Sequence, residues 1–128
     1  MEVSTVCTYC GVGCGLFLGV RGDKVVSARA NRESPVNKGN LCVKGRFGWE
    51  FVNHPERLKK PLVKNGGNFE EVEWDEALEL VARKFSKYKG DQFASFSSAR
   101  TTNEDNYLFQ KFTRAVMQTN NVDHCARL

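Results

Sequence analysis

The chain has 128 residues, 41% of them hydrophobic and 27% charged, with a net charge of +4. That is the composition of a globular chain of one ordinary domain, or of one small domain and part of another, with enough residues to bury a core without covalent staples. No apolar run approaches about 18 residues, so no membrane span is expected, and the start Met-Glu-Val-Ser-Thr-Val lacks the basic and apolar regions of a secretory signal.

The charge is uneven. Residues 1–64 carry 11 Lys/Arg against 5 Asp/Glu, and residues 65–128 carry 8 against 10. A basic first half suits an anionic partner or cofactor, although a solvated basic face is the plainer reading. No aromatic residues interleave the lysines as a nucleic-acid groove would require, so no nucleic-acid partner is expected.

In chain order, residues 2–6 read as a short strand running into Cys7-x2-Cys10-x3-Cys14. Leu16, Leu18 and Val20 alternate as in a strand, Arg21-Gly22-Asp23 signals a turn, and residues 24–28 read as the returning strand. This hairpin is expected to support the cysteine loop. Residues 31–41 contain Pro35, Asn37, Gly39 and Asn40 without periodicity and predict a loop delivering Cys42. A short helix is expected over 45–53, around Phe47, Trp49 and Phe51, followed by a connector over 55–64 and a Gly66-Gly67 turn between two extended pieces.

The second half predicts a helix from Asp75 to Lys89, with Asp75 as N-cap, Gly90 at C′ and Ala77, Leu78, Val81, Ala82 and Phe85 on one stripe. Gln92 to Ser97 reads as a buried strand. Thr101-x-x-Glu104 has the capping-box pattern and opens a helix to about Gln118, with Leu108, Phe112 and Ala115 or Val116 inward. A further strand begins near Asn120. The expected fold class is thus α+β passing into α/β: a small β-rich metal-binding domain over 1–60, then the start of an incomplete parallel α/β domain over 61–128.

The cysteines carry the chemistry. Five in number, with no secretory signal, they do not form a disulfide framework. Three on one loop and a fourth, Cys42, after 27 intervening residues form a three-plus-one set. Structural zinc usually draws on two separated pairs, whereas a cubane [4Fe–4S] cluster takes one thiolate at each of four corners. Gly11, Gly13 and Gly15 let backbone amides approach a bulky anionic group. Spacing alone favours the cluster and leaves zinc and plain thiols open.

The motifs Cys7-Thr8-Tyr9-Cys10-Gly11-Val12-Gly13-Cys14-Gly15, Cys42-Val43-Lys44-Gly45, Pro35-Val36-Asn37-Lys38-Gly39, His54-Pro55-Glu56-Arg57-Leu58, Trp74-Asp75-Glu76-Ala77-Leu78 and Thr102-Asn103-Glu104-Asp105-Asn106-Tyr107 resemble the N-terminal part of the molybdopterin oxidoreductases. The tail Asn120-Asn121-Val122-Asp123-His124-Cys125-Ala126-Arg127-Leu128 resembles the formate dehydrogenase alpha subunits within that family, and its Cys-Ala-Arg speaks against an assimilatory nitrate reductase.

The resemblance implies that Cys7, Cys10, Cys14 and Cys42 hold a [4Fe–4S] cluster and that Lys44 lies between cluster and pterin, serving electron transfer and cofactor binding. It implies molybdenum or tungsten on two pyranopterin guanine dinucleotides, formate oxidised to carbon dioxide, and electrons leaving through the cluster. Arg100 follows a predicted strand at its C-terminal end, where α/β sheets gather ligands, and is a candidate for the pterin side. Cys125 matches no ligand and reads as a small buried residue, with His124 structural.

No catalytic residue is expected within the chain. The metal-binding cysteine or selenocysteine would follow Leu128 directly, and a UGA codon read as termination, or a deliberate excision, would account for the end there. The expected partners are the remainder of the catalytic subunit and an iron–sulfur electron-transfer subunit or other redox partner, in an anaerobic cytoplasm. The rival from another class is a non-catalytic cluster- or zinc-binding docking module.

Overall fold

The computed structural model describes residues 1–125. Helices and strands are mixed, and the strands form three small sheets. The chain divides into two compact units.

The first unit takes in Met1–Arg57, Phe96–Gln110 and the segment from Asp123. Its centre is an antiparallel sheet of β1 (Glu2–Val6), β2 (Gly15–Arg21) and β3 (Lys24–Ala30), in that order. Thr5 pairs with Leu16 and Val3 with Leu18, and the β2–β3 register shifts once, between Gly19 and Val20. Leu16, 4% exposed, and Cys7 form the buried apolar centre here. On the outer face Arg29 reaches Glu2 through two hydrogen bonds (3.1 and 2.6 Å) and lies over the Phe17 ring at 4.6 Å. The expected hairpin is present, and β1 adds a third strand, so the cysteine loop itself joins two paired strands.

Residues 31–41 are irregular, as their composition predicts, but well tied. Asn37 accepts the Gly15 N–H at 2.9 Å and donates to the Gly15 carbonyl at 3.1 Å and the Asn40 carbonyl at 2.7 Å. The loop feeds α1 (Val43–Phe47). The helix expected over 45–53 starts two residues earlier and stops at Gly48; a 3₁₀ turn follows at Glu50–Asn53. The Tyr9 hydroxyl donates to the Gly48 carbonyl at 2.5 Å, and a Cβ on Gly48 would stand 2.5 Å from that hydroxyl.

The second unit comprises Leu58–Ser95 and Lys111–Val122. β4 (Leu62–Asn65) and β5 (Asn68–Glu71) form a hairpin, its turn made by Gly66 and Gly67 at φ 56° and 101°. α2 runs Trp74–Phe85. Glu73, not Asp75, is its N-cap, which places Asp75 and Glu76 in the first turn, where carboxylates favour the helix. Lys60 pairs with Glu73. The helix ends four residues short of Lys89, where the Ser86 hydroxyl donates to the Arg83 carbonyl at 3.0 Å; Gly90 opens a 3₁₀ turn instead of capping α2.

β6 (Ser95–Ser98) and β7 (Val122–Cys125) form the last sheet, joined through α3 (Asn103–Ala115). The capping box falls one residue later than expected: the Thr102 hydroxyl accepts the Asp105 N–H at 3.2 Å and donates to the Asp105 carboxylate at 2.8 Å. In the second unit Phe85, Phe93 and Phe112 meet with ring centroids 5.5–6.4 Å apart, beside buried Met117 and a Ser95–Thr113 hydroxyl pair at 3.0 Å. The expected apolar faces are only partly covered. Phe112 packs inward, but Leu78, Leu108 and Val116 are 58%, 60% and 54% exposed. Helical spacing marks a face suited to burial without saying what lies against it.

Replacing Asn37 by alanine removes three hydrogen bonds, two of them partly buried and one exposed, and is expected to destabilise the chain by about 2 kcal/mol. Urea unfolding checks this, and a loss under about 0.5 kcal/mol would contradict the role given to that side chain.

Candidate metal centre

The cysteine loop is the connection between β1 and β2. The Cys7 N–H donates to the Cys14 carbonyl at 2.9 Å, so residues 7–14 form a closed loop with a cysteine at each end and Cys10 between. Within it Gly13 has φ 74°, a conformation costly to any residue with a Cβ. Asn37 holds Gly15 from one side and Tyr9 joins the loop to Gly48 at the end of α1.

Cys42 arrives from the irregular 31–41 segment at the N-cap position of α1. Gly45, the buried residue of that helix, sits against the loop: a Cβ there would stand 3.4 Å from the Cys7 sulfur. The first turn of α1 therefore packs on Cys7 while presenting Cys42. All four cysteines, Cys7, Cys10, Cys14 and Cys42, line one cavity of about 360 Å³, the size range of ligand sites. All are free thiols.

Their environments differ. Cys7 is buried, Cys10 and Cys14 are half-buried and Cys42 is exposed. Burial pushes the Cys14 thiol up, and the neighbouring Cys7, Cys10 and Cys42 add to the effect because four thiolates repel one another. Cys42 moves the other way. It closes no full side-chain capping bond, yet the backbone N–H groups of Gly45 and Lys44 face its sulfur and hold its thiol below the ordinary range. Repulsion among the thiols is the load that a polynuclear cation core relieves.

Four thiols lining one cavity accord with a cluster, in which each thiolate takes its own iron.

Lys44 is half-buried and lines this cavity and also a second one, of about 330 Å³, walled by Tyr9, Trp49 and Phe51. Arg100, just past β6, is exposed and also lines the cysteine cavity; its N–H donates to the Ser98 hydroxyl at 3.0 Å.

Cys125 corrects the sequence expectation. It is exposed, not buried, and stands in the wall of the same cavity. Its spacing from the other cysteines gave no such signal; β7 carries it there. Sequence reasoning also missed the side chains that tie the loop down. Tyr9, Asn37 and Asn103, whose Nδ2 donates to the Gly11 carbonyl at 2.7 Å, act through backbone atoms that no spacing rule identifies. Ala126, Arg127 and Leu128, part of the tail used for the resemblance, lie outside the described residues.

In the iron-free chain iodoacetamide is expected to modify Cys42 faster than Cys14 at neutral pH, because the lowered thiol holds more thiolate. The Cys42 rate should fall as pH drops through its depressed pKa. Peptide mass mapping between pH 6 and 9 reads the order, and faster modification of Cys14 would contradict it.

Comparison with known proteins agrees with this geometry. Residues 1–54 match the family model "Molybdopterin oxidoreductase Fe4S4 domain" and residues 57–128 match "Molybdopterin oxidoreductase". The chain is 52% identical over 126 residues to F420-dependent formate dehydrogenase 2 subunit alpha of Methanococcus maripaludis, covering 98% of this chain and 19% of that protein. It is 50% identical, with the same coverage, to F420-dependent formate dehydrogenase subunit alpha of Methanocaldococcus jannaschii. Over 130 residues it is 48% identical to the probable oxidoreductase YjgC of Bacillus subtilis, covering 98% of this chain and 13% of that protein. The chain thus spans about a fifth or less of the length of these relatives. A [4Fe–4S] cluster and molybdopterin are the cofactors that the two matched domains carry in their names, and a cavity lined by four thiols accords with the first; the chain belongs to the molybdopterin oxidoreductase family.

Proposed function

We propose that the chain is the N-terminal, electron-transferring part of a formate dehydrogenase alpha subunit. The observation that carries this reading is a four-thiol cavity bordered by a lysine, on a chain about half identical to formate dehydrogenase alpha subunits over 98% of its length. Cys7, Cys10, Cys14 and Cys42 are the proposed cluster ligands. Residues 1–60 form the β-rich cluster domain, and residues 61–128 open a parallel α/β domain whose remainder lies in the rest of the subunit. The family matches over 1–54 and 57–128 support this division.

When bound, molybdenum or tungsten on two pyranopterin guanine dinucleotides supplies two-electron oxidation of formate to carbon dioxide, and the cluster supplies the one-electron relay. The residues of this chain bind, insulate and bias. Lys44 lines the cavity, and its ammonium would offset the negative charge of thiolates and sulfides; the resemblance implies that it lies between cluster and pterin. Arg100 offers a second cation for an anionic cofactor from the same wall. Amides facing Cys42 favour its thiolate and so its binding to iron.

The metal-binding cysteine or selenocysteine belongs to the rest of the subunit. Electrons then pass to an iron–sulfur subunit or another redox partner, in an anaerobic, cytoplasmic setting. Among the described residues no helix is long and apolar enough to cross a membrane.

The full-length subunit, purified without oxygen, should contain about four iron and four labile sulfides from this site and reduce viologen dye with formate. Cys42→Ala should remove the cluster's EPR signal and at least 100-fold of the dye reduction. The 128-residue chain alone should show no turnover with formate. One zinc per chain with no visible absorbance, or turnover with nitrate but not with formate, would overturn the reading.

A further inference from the structure

Asn103 opens α3, 92 residues from the cysteine loop, yet its side chain rests on that loop. Its Nδ2 donates to the Gly11 carbonyl at 2.7 Å. The fit is steric as well as polar. A Cβ on Gly11 would stand 2.4 Å from Asn103 Oδ1 and 3.3 Å from its Cγ, and the three nearest atoms all belong to Asn103. Gly11 lies immediately after Cys10 and three residues before Cys14, at the tip of the closed 7–14 loop. Asn103 lies three residues after Arg100, which lines the cysteine cavity.

The other ties on the loop act at its base and side. Asn37 holds Gly15, just past the loop, and the Tyr9 hydroxyl reaches Gly48 behind α1. Asn103 is the tie at the tip. A trans peptide carries its N–H antiparallel to its C=O, so fixing the Gly11 carbonyl also fixes the orientation of the Val12 N–H. Amide orientation around a cluster is one of the factors that set its reduction potential.

We propose that Asn103 is a positioning residue for the cluster: by holding the Gly11 carbonyl it fixes the backbone amides of the loop tip and thereby the cluster's reduction potential. The proposal rests on the cluster reading of the cavity given above. It also makes the absence of a side chain at position 11 a consequence of Asn103, since the carboxamide fills the space a Cβ would need.

The test uses the full-length, cluster-loaded subunit. Asn103→Ala should retain about four iron per site, with a changed EPR line shape for the reduced cluster. Its reduction equilibrium should move at least threefold, about 28 mV at 59 mV per tenfold for a one-electron couple. Asn103→Leu, which keeps about the side chain's size but loses the donor without adding charge, should also shift the potential, and decides the matter if the alanine variant does not fold.

Gly11→Ala alone should perturb the signal more than Asn103→Ala does. The double variant Gly11→Ala/Asn103→Ala should resemble Asn103→Ala alone, because the clash disappears with the carboxamide. Unchanged potential and line shape in both Asn103 variants, or strictly additive effects in the double variant, would overturn the proposal. Absence of any cluster signal from the parent enzyme would instead overturn the reading of the cavity.

Discussion

One hydrogen bond organises the first unit: the Cys7 N–H on the Cys14 carbonyl. It closes the loop between β1 and β2 one step past their last registered pair, Val6 and Gly15. Three thiols are thereby confined to a ring of eight residues before any metal is considered. The alternative, three cysteines on an open segment, would leave the metal to supply the full ordering entropy of the loop, about 1–2 kcal/mol for each residue fixed. Everything else near the cavity braces this ring. Asn37 clamps its exit, Gly45 packs on the Cys7 sulfur, and Tyr9 ties it to the end of α1.

Cys42 obeys a different constraint. It must come from far along the chain, so the segment before it has to be rigid without being regular. The Asn31, Asn37 and Asn40 side chains and backbone achieve this through local bonds that replace a ladder: Asn31 accepts the Glu33 N–H at 2.9 Å, and Asn37 and Asn40 exchange hydrogen bonds. The two routes give thiols of unlike character. Cys14 is biased against ionisation and the exposed, amide-facing Cys42 toward it.

Much of this was legible in the residues. The cysteine spacing, the alternation of Leu16, Leu18 and Val20, and the Gly66-Gly67 turn each encode a local rule, and each element stands where its rule puts it. The helix boundaries moved by one to six residues because spacing does not identify the side-chain contacts at helix ends. The Tyr9 hydroxyl meets Gly48 where α1 ends, and the Thr102–Asp105 pair, not Thr101 and Glu104, starts α3. Cys125 departs from its sequence expectation because a lone cysteine carries no periodicity; β7 brings it to the cavity wall. The apolar stripe of α2 was read correctly as a stripe, but period alone does not name the surface that covers it. Leu78 and Val81 remain 58% and 46% exposed.

The sequence distances of the three ties on the cysteine loop set an order of events during synthesis. Asn37 lies 22 residues from its partner Gly15, Gly48 lies 39 from Tyr9, and Asn103 lies 92 from Gly11. A ribosome adding roughly 5–20 residues per second releases Asn103 on the order of 5–18 s after the loop it grips. The three-cysteine ring therefore emerges early and is braced at its base first, while its tip waits on α3. For that interval the nascent protein presents a thiol-rich ring whose tip is not yet held, and the time during which its geometry stays open is governed by the speed of translation.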